Sequence, residues 1–317
     1  MASNAFGTIF RITTWGESHG KGIGVVIDGC PAGLDICDEE INQALAIRAP
    51  GRNTFTTPRK ETDLAEIYSG VFEGKTTGAP ISIVIHNHDV RSSSYEPIIH
   101  LLRPGHANFT YLEKYGAFDY RGGGRSSARE TACRVAAGAV AKKLLAHYGI
   151  QTCAYLAAVG EVHAVVAMDN LATLNAVTVA NPIFCPDAMA AAQMMDNITA
   201  AKDAGDSLGG IVTFVASGLP VGLGDPVYEK LEANLAKAMM SMPASKGFEM
   251  GDGFAAARMS GSTHNDSFMM NQDKVETRTN HAGGTLGGLS TGMPLFGQVA
   301  FKPTSSINKP QETIDTK

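Results

Sequence analysis

Gly16-Glu17-Ser18-His19-Gly20 and Gly29-Cys30-Pro31-Ala32-Gly33-Leu34 each occur a second time in this chain of 317 residues. The later copies read Gly205-Asp206-Ser207-Leu208-Gly209 and Gly218-Leu219-Pro220-Val221-Gly222-Leu223, both displaced by 189 positions. Between the paired motifs lies an apolar, partly β-branched run, Ile23 to Ile27 or Ile211 to Val215, which predicts a buried strand. A second set, Gly70, Gly74, Thr77, Gly78, Pro80 and Ile81, returns at an offset of 214 as Gly284, Gly288, Thr291, Gly292, Pro294 and Leu295. Both sets lead into alternating strands, Ile81 to Ile85 and Leu295 to Phe301. Two blocks in the same order argue for duplication rather than chance agreement among glycines. Two long copies do not make a solenoid, whose repeats run about 20–50 residues. The expectation is a single domain over 1–317 made of two pseudo-repeats, about 1–150 and 151–317, packed face to face.

A helix is expected after each copy of the first block. One starts near Asp38 and stops before Pro50; the other opens with Asp225 as N-cap and Pro226 at N1, placing Val227, Leu231 and Leu235 on one face. The first half then runs on into a further helix. Ser127 and Glu130 have capping-box spacing, Cys133, Ala136, Ala137, Val140 and Leu144 form a small-residue stripe, and Gly149 is the stop. The second half has no counterpart to this helix within the sequence, so it is expected to lack its C-terminal helical segment.

At about 150 residues per domain, the length allows two domains or one large one. Hydrophobic residues at 44%, charged residues at 18% and a mean hydropathy of -0.03 exclude a disordered chain. No apolar stretch approaches the ~18 residues needed to span a bilayer, and the N-terminus lacks a secretory pattern, which places the protein in the cytoplasm with no membrane partner. The five cysteines, Cys30, Cys37, Cys133, Cys153 and Cys185, include no C-x-x-C pair and suit small buried hydrophobes rather than disulfides or zinc ligands. Between Arg48 and Lys143, fourteen Lys and Arg face nine Asp and Glu, although the whole chain carries -5. Those arginines are interleaved with glycine, and the pI of about 6.0 argues against nucleic acid. A pocket for a small anion is the better reading.

Arg121-Gly122-Gly123-Gly124-Arg125-Ser126-Ser127-Ala128-Arg129 is the strongest such feature. Glycines ahead of a capped helix let backbone N–H groups converge on an anion, and the helix dipole and three arginines reinforce them. It is neither a Walker A loop nor a G-x-G-x-x-G turn; a flexible loop with solvated arginines is the bland alternative. Lys302-Pro303-Thr304-Ser305-Ser306 and Asn280-His281-Ala282-Gly283-Gly284 are equally readable as ligand loops or as solvated turns. His19 and His106 sit in glycine-flanked turns beside charge, where a histidine can act as a general acid or simply hold a turn. His86 and His88 share a strand face with no third ligand in register, so no metal site is expected.

Five stretches, FRITTWGESHG, RPGHANFTYLEKYGAFDYRGGGRSSARET, GDSLGGIVTFVASGLP, TNHAGGTLGG and KPTSSI, closely resemble the signatures of the chorismate synthase family, in family order from Phe6 to Ile307. The resemblance implies anti-1,4-elimination of phosphate from 5-enolpyruvylshikimate 3-phosphate with loss of a ring hydrogen, giving chorismate. Reduced FMN is required without net redox change. It also implies an α+β fold, a β-α-β sandwich of two antiparallel sheets enclosing helices with internal pseudo-twofold duplication, assembled as a homotetramer. The flavin's electrons would come from NADPH at the chain itself or from an external flavin reductase. Carried over by motif, Arg125, Ser126, Ser127, Ala244, Gly287, Lys302, Pro303, Thr304, Ser305 and Ser306 contact the flavin. His106 polarises or protonates the reduced ring, and His19 protonates the departing phosphate. Arg48, Arg103, Arg129 and Arg134 hold the substrate's phosphate and carboxylates, and Arg52 substitutes for an arginine the family carries at the position of Thr54. Pro243 replaces the family's asparagine before Ala244. The family's R-H-D-P-C segment and final helix, expected after the K-P-T-S-S motif, are absent from the sequence. Rival readings are an FMN-dependent oxidoreductase and a non-catalytic binding protein for a phosphorylated metabolite.

Overall fold

The computed structural model describes residues 3–51, 53–56, 63–88 and 92–317. The chain divides into two compact units, Met1–Leu144 with Asn308–Lys317, and Leu145–Ile307. Arg52 lies outside the described residues.

In the first unit, strands β1 (Ala5–Phe6), β2 (Arg11–Gly16), β3 (Gly22–Asp28), β4 (Ala65–Ser69), β5 (Val71–Phe72), β6 (Lys75–Thr76) and β7 (Ile81–His86) accompany helices α1 (Asp38–Arg48), α2 (Asn108–Tyr115) and α3 (Thr131–His147). The main sheet is antiparallel with order β1-β2-β3-β7-β4, and β5 and β6 form a separate small hairpin. Its core follows from a period of two: Ile23, Val25 and Ile27 of β3 and Ile81, Ile83 and Ile85 of β7 lie on one face and are essentially inaccessible. Onto that face pack Ile41 and Leu45 of α1 and Ala132, Cys133, Ala136, Ala137 and Val140 of α3. Small side chains let α3 approach closely, and each fully buried isoleucine contributes about 1.5–3 kcal/mol. Burial pushes the Cys133 thiol up to about 12. Gly149, at φ +75°, stops the helix as expected.

The second unit holds β8 (Gln151–Val159), β9 (Val162–His163), α4 (Leu171–Ala180), α5 (Ala188–Asp203), β10 (Gly210–Ser217), α6 (Leu231–Met240), β11 (Ser245–Met250), α7 (Gly261–His264), β12 (Phe268–Asn271), β13 (Lys274–Thr277), β14 (Thr285–Leu286), β15 (Leu289–Ser290) and β16 (Leu295–Phe301). Its main sheet is again antiparallel and five-stranded, β9-β8-β10-β16-β11. Cys153, Tyr155 and Ala157 of β8 and Val215 of β10 pack with Leu171 and Leu174 of α4. The path β8-β10-β16-β11 matches β2-β3-β7-β4 strand for strand, and the hairpin β14–β15 falls between β11 and β16 in the chain as β5–β6 falls between β4 and β7. The recurring glycines adopt matching left-handed conformations, for example Gly78 at φ +85° and Gly292 at φ +86°. The fold class is α+β with antiparallel sheets.

Two local expectations need correction. The helix expected from Pro226 begins only at Leu231, because Val227 turns to φ +65° and the Leu231 N–H donates to the Gly288 carbonyl at 2.8 Å. The capping box does not close either. Ser127 Oγ accepts from the Arg129 N–H, residues Ala128–Glu130 form a short 3-10 turn, and the Glu130 carboxylate is committed elsewhere. Cys30, Cys133, Cys153 and Cys185 are buried as expected, whereas Cys37 is half-exposed.

Candidate active site

β2 ends at Gly16 with φ +87°, and the chain turns through Glu17-Ser18-His19-Gly20 into β3. Asn87, just past β7, holds that turn by donating to the Glu17 and Gly20 carbonyls at 3.0 and 2.9 Å. His19 is buried, with Nδ1 3.1 Å from Ser18 Oγ and its ring edge-on to Tyr95 at 5.5 Å. Gly122, at φ +74°, presses directly on this ring: a Cβ there would stand 2.2 Å from Cε1 of His19. Only glycine permits both that backbone and that approach. The three-glycine loop and the Gly-Glu-Ser-His-Gly turn are therefore one construction.

The arginines divide by task. Arg125 reaches back to β2, its Nη1 donating to the Gly16 carbonyl at 3.1 Å and its Nη2 to Thr14 Oγ1 at 2.7 Å. The Thr14 hydroxyl donates in turn to Glu130 Oε1 at 2.9 Å, and Glu130 Oε2 accepts from Arg134 Nε at 2.8 Å. Arg48 Nη1 meets Asp63 Oδ2 at 2.5 Å, and Arg129 Nη1 takes the other oxygen of the same carboxylate. Arg103 lies over the Tyr95 ring, 5.7 Å from its centre, and burial pulls its guanidinium below the usual arginine range. At that residue type the charge persists at neutral pH.

His106 follows from Arg103 by a tight turn, its N–H donating to the Arg103 carbonyl at 3.2 Å. Its Nδ1 lies 2.9 Å from the Pro104 carbonyl. A carbonyl only accepts, so Nδ1 carries a proton, and in the neutral tautomer Nε2 is the nitrogen with the free lone pair. Asn108 secures the turn through Nδ2 to the Leu101 carbonyl at 2.8 Å. A cavity of about 160 Å³ opens beside it, with Tyr95, Arg103, Asn108, Phe118 and Tyr120 among its walls.

Within the second unit, Ala244, at φ +68°, accepts the Lys302 N–H at 3.0 Å, so these two expected cofactor residues are adjacent. Lys302 Nζ donates to Ser305 Oγ, and Ser207 of the repeated turn donates to the Thr304 carbonyl at 2.7 Å. Pro303, Thr304 and Ser306 are exposed. A cation beside clustered hydroxyls is donor chemistry that suits a phosphomonoester. Gly287 belongs to a different loop, at the tip of β14–β15 with φ +62°. Sequence reasoning missed Asp63, Tyr95 and Thr14, and read Glu130 only as a cap. The available signal was indirect: arginines crowded into an apolar fold require buried counter-charges.

An α+β chain with antiparallel sheets, a buried histidine under a glycine loop and five arginines fixed by named partners in the same unit has the chemistry of an enzyme for a small anionic metabolite. The family model described as chorismate synthase matches residues 10–317. Chorismate synthases of Protochlamydia amoebophila and Methanosarcina mazei are 57% and 52% identical, over 100% and 99% of this chain and 87% and 86% of their own lengths. A solved structure titled as the crystal structure of chorismate synthase superposes with TM-score 0.79 at 34% identity, covering 93% of this chain and 85% of that one. The chain belongs to the chorismate synthase family, and is thus an enzyme of the lyase class. Membership implies a flavin cofactor and 5-enolpyruvylshikimate 3-phosphate as substrate. Among the described residues, no helix is long and apolar enough to cross a membrane.

Proposed function

We propose that this chain eliminates phosphate from 5-enolpyruvylshikimate 3-phosphate in the anti-1,4 sense, with loss of a ring hydrogen, to give chorismate, using reduced FMN. The observation that carries the reading is His19, buried under Gly122 of the three-glycine loop and flanked through Tyr95 by Arg103. A histidine so enclosed has few conformations to lose and can deliver a proton to a departing phosphate oxygen. Arg48, Arg103, Arg129 and Arg134 supply positive potential for the substrate's phosphate and carboxylates, with Arg52 added by sequence resemblance.

Reduced FMN, when bound, supplies electron density that eases departure of the phosphate and is returned unchanged at the end of the cycle. On this reading His106 holds its proton on Nδ1 through Pro104 and presents Nε2 to the flavin ring. Ser126 and Ser127, with the Arg125 backbone, are the loop atoms assigned to the cofactor, since the Arg125 guanidinium already holds β2. In the second unit, Ala244, Gly287 and Lys302 through Ser306 are assigned to it, with Lys302 and the hydroxyls taking its phosphate. The two units are read as pseudo-repeats of a single domain. The family resemblance further supports a cytoplasmic homotetramer whose flavin is reduced by NADPH at the chain itself or by a separate flavin reductase.

The test is an anaerobic assay with prereduced FMN. Chorismate and phosphate should form over many turnovers with no net flavin oxidation. One flavin oxidised per product would make the protein an oxidoreductase, and tight ligand binding without turnover would make it a binding protein.

A further inference from the structure

The first unit contains a carboxylate to which the proposed reaction assigns no role. Asp63 is fully buried at its side chain, and both of its oxygens are held by guanidiniums. The two arginines are not equivalent. Arg129 is 4% exposed and further fixed by Nε to Asn87 Oδ1 at 3.0 Å and by Nη2 to the His86 carbonyl at 3.5 Å. Arg48 is 21% exposed, and its other contacts, Nε to Thr131 Oγ1 and Nη2 to the Ala128 carbonyl, are long at 3.3 and 3.4 Å. The carboxylate thus joins a locked guanidinium to one that reaches solvent.

We propose that Asp63 is a positioning residue: anchored by Arg129, it sets the direction in which Arg48 offers its guanidinium to an anionic group of the substrate. This rests on the reading that Arg48 binds substrate. A carboxylate between two arginines could instead serve only to neutralise them, and the two roles predict opposite signs. Without the Asp63 charge, the trio goes from one net positive charge to two, which by Coulomb attraction alone tightens anion binding. Loss of orientation weakens it, because a guanidinium binds phosphate or carboxylate well only when its planar fork is aimed.

The experiment measures KM, kcat and thermal unfolding, with prereduced flavin, for Asp63→Asn, Asp63→Glu, Arg48→Ala and the Asp63→Asn/Arg48→Ala pair. Asp63→Asn should raise KM on the order of tenfold to a hundredfold with kcat nearly unchanged. Asp63→Glu, which keeps the charge one methylene further out, should fall between Asn and the natural residue. In the pair, the Asp63→Asn effect should shrink, since Asp63 acts through Arg48. A KM for Asp63→Asn that is unchanged or lower overturns the proposal, as does an effect undiminished without Arg48. Should Asp63→Asn fail to fold, Asp63→Glu decides: a raised KM at unchanged melting supports the proposal and a natural KM overturns it. Failure of the underlying reading shows separately, as Arg48→Ala leaving KM where it was.

Discussion

Thr76 and Ser290, at corresponding positions of the two hairpins, make the same hydrogen bonds. Thr76 Oγ1 donates to the Pro31 carbonyl at 2.6 Å and accepts the Leu34 N–H at 2.9 Å; Ser290 Oγ donates to the Pro220 carbonyl at 2.6 Å and accepts the Leu223 N–H at 2.9 Å. The backbones repeat the pattern, with Gly33 and Gly222 donating to the carbonyls of Thr76 and Ser290 at 2.7 and 2.9 Å. Each Gly-x-Pro-x-Gly-Leu turn is fastened to its hairpin by one buried hydroxyl. The motif recurs in the sequence because each unit needs the same fastening.

Removing either hydroxyl leaves a half-buried N–H and a carbonyl without it, which costs about 1 kcal/mol. Thr76→Val and Ser290→Ala should each lower stability by that amount in denaturant unfolding, while Thr76→Ser stays near the natural protein. A Thr76→Val protein of unchanged stability would mean that water or relaxed backbone replaces the hydroxyl.

His19→Ala and His106→Ala should each reduce turnover by about 10²–10⁴-fold, the usual contribution of a positioned proton donor or acceptor. Single-turnover rates with prereduced flavin, read beside melting temperatures, check this. A variant that melts early with normal turnover would return its histidine to the role of a turn-holding residue.

Gly122→Ala tests the coupling between loop and histidine without replacing an ionisable residue. Its methyl would meet the His19 ring at 2.2 Å, and the backbone at φ +74° disfavours any side chain. Turnover should fall by at least tenfold, with stability reduced by about 1 kcal/mol from the backbone alone. Full activity would show that His19 need not stay where the loop holds it.

The thiols offer a check on the first core. With the Cys133 thiol pushed up to about 12 by burial, its thiolate is scarce near neutral pH, and it should resist thiol reagents until the protein unfolds. Half-exposed Cys37 should react first. Rapid labelling of Cys133, located by peptide mass mapping, would place that helix face in solvent.

Strand placement was legible because β3, β7, β10 and β16 show apolar character set by burial, and their turns need glycine at positive φ. Helix α1 was legible from its boundaries for the same local reasons. What was not legible depended on distant partners. Pro226 opens no helix because Gly288 captures Leu231, and Glu130 caps nothing because Thr14 and Arg134 claim its carboxylate. Asp63 gives no sequence signal, since its meaning lies in Arg48 and Arg129, 15 and 66 positions away. The glycine-flanked histidines could be named from the sequence, but the contact of His19 with Gly122 needed three dimensions.

Residues Asn308–Lys317 run with the first unit rather than the second. There Asp315 bridges to Leu101, the Leu102 N–H donates to the Ile314 carbonyl at 3.2 Å, and Thr316 donates to the His100 carbonyl across 216 positions. During synthesis this closure must wait. At about 5–20 residues per second, the backbone at His100 to Leu102 leaves the ribosome roughly 10–40 s before its partner does. The second unit, contiguous from Leu145 to Ile307, can complete itself in that interval. The segment leading into the Arg103–His106 turn therefore lacks these partners in the nascent chain until Ile314 to Thr316 have been made, and until then offers unpaired backbone.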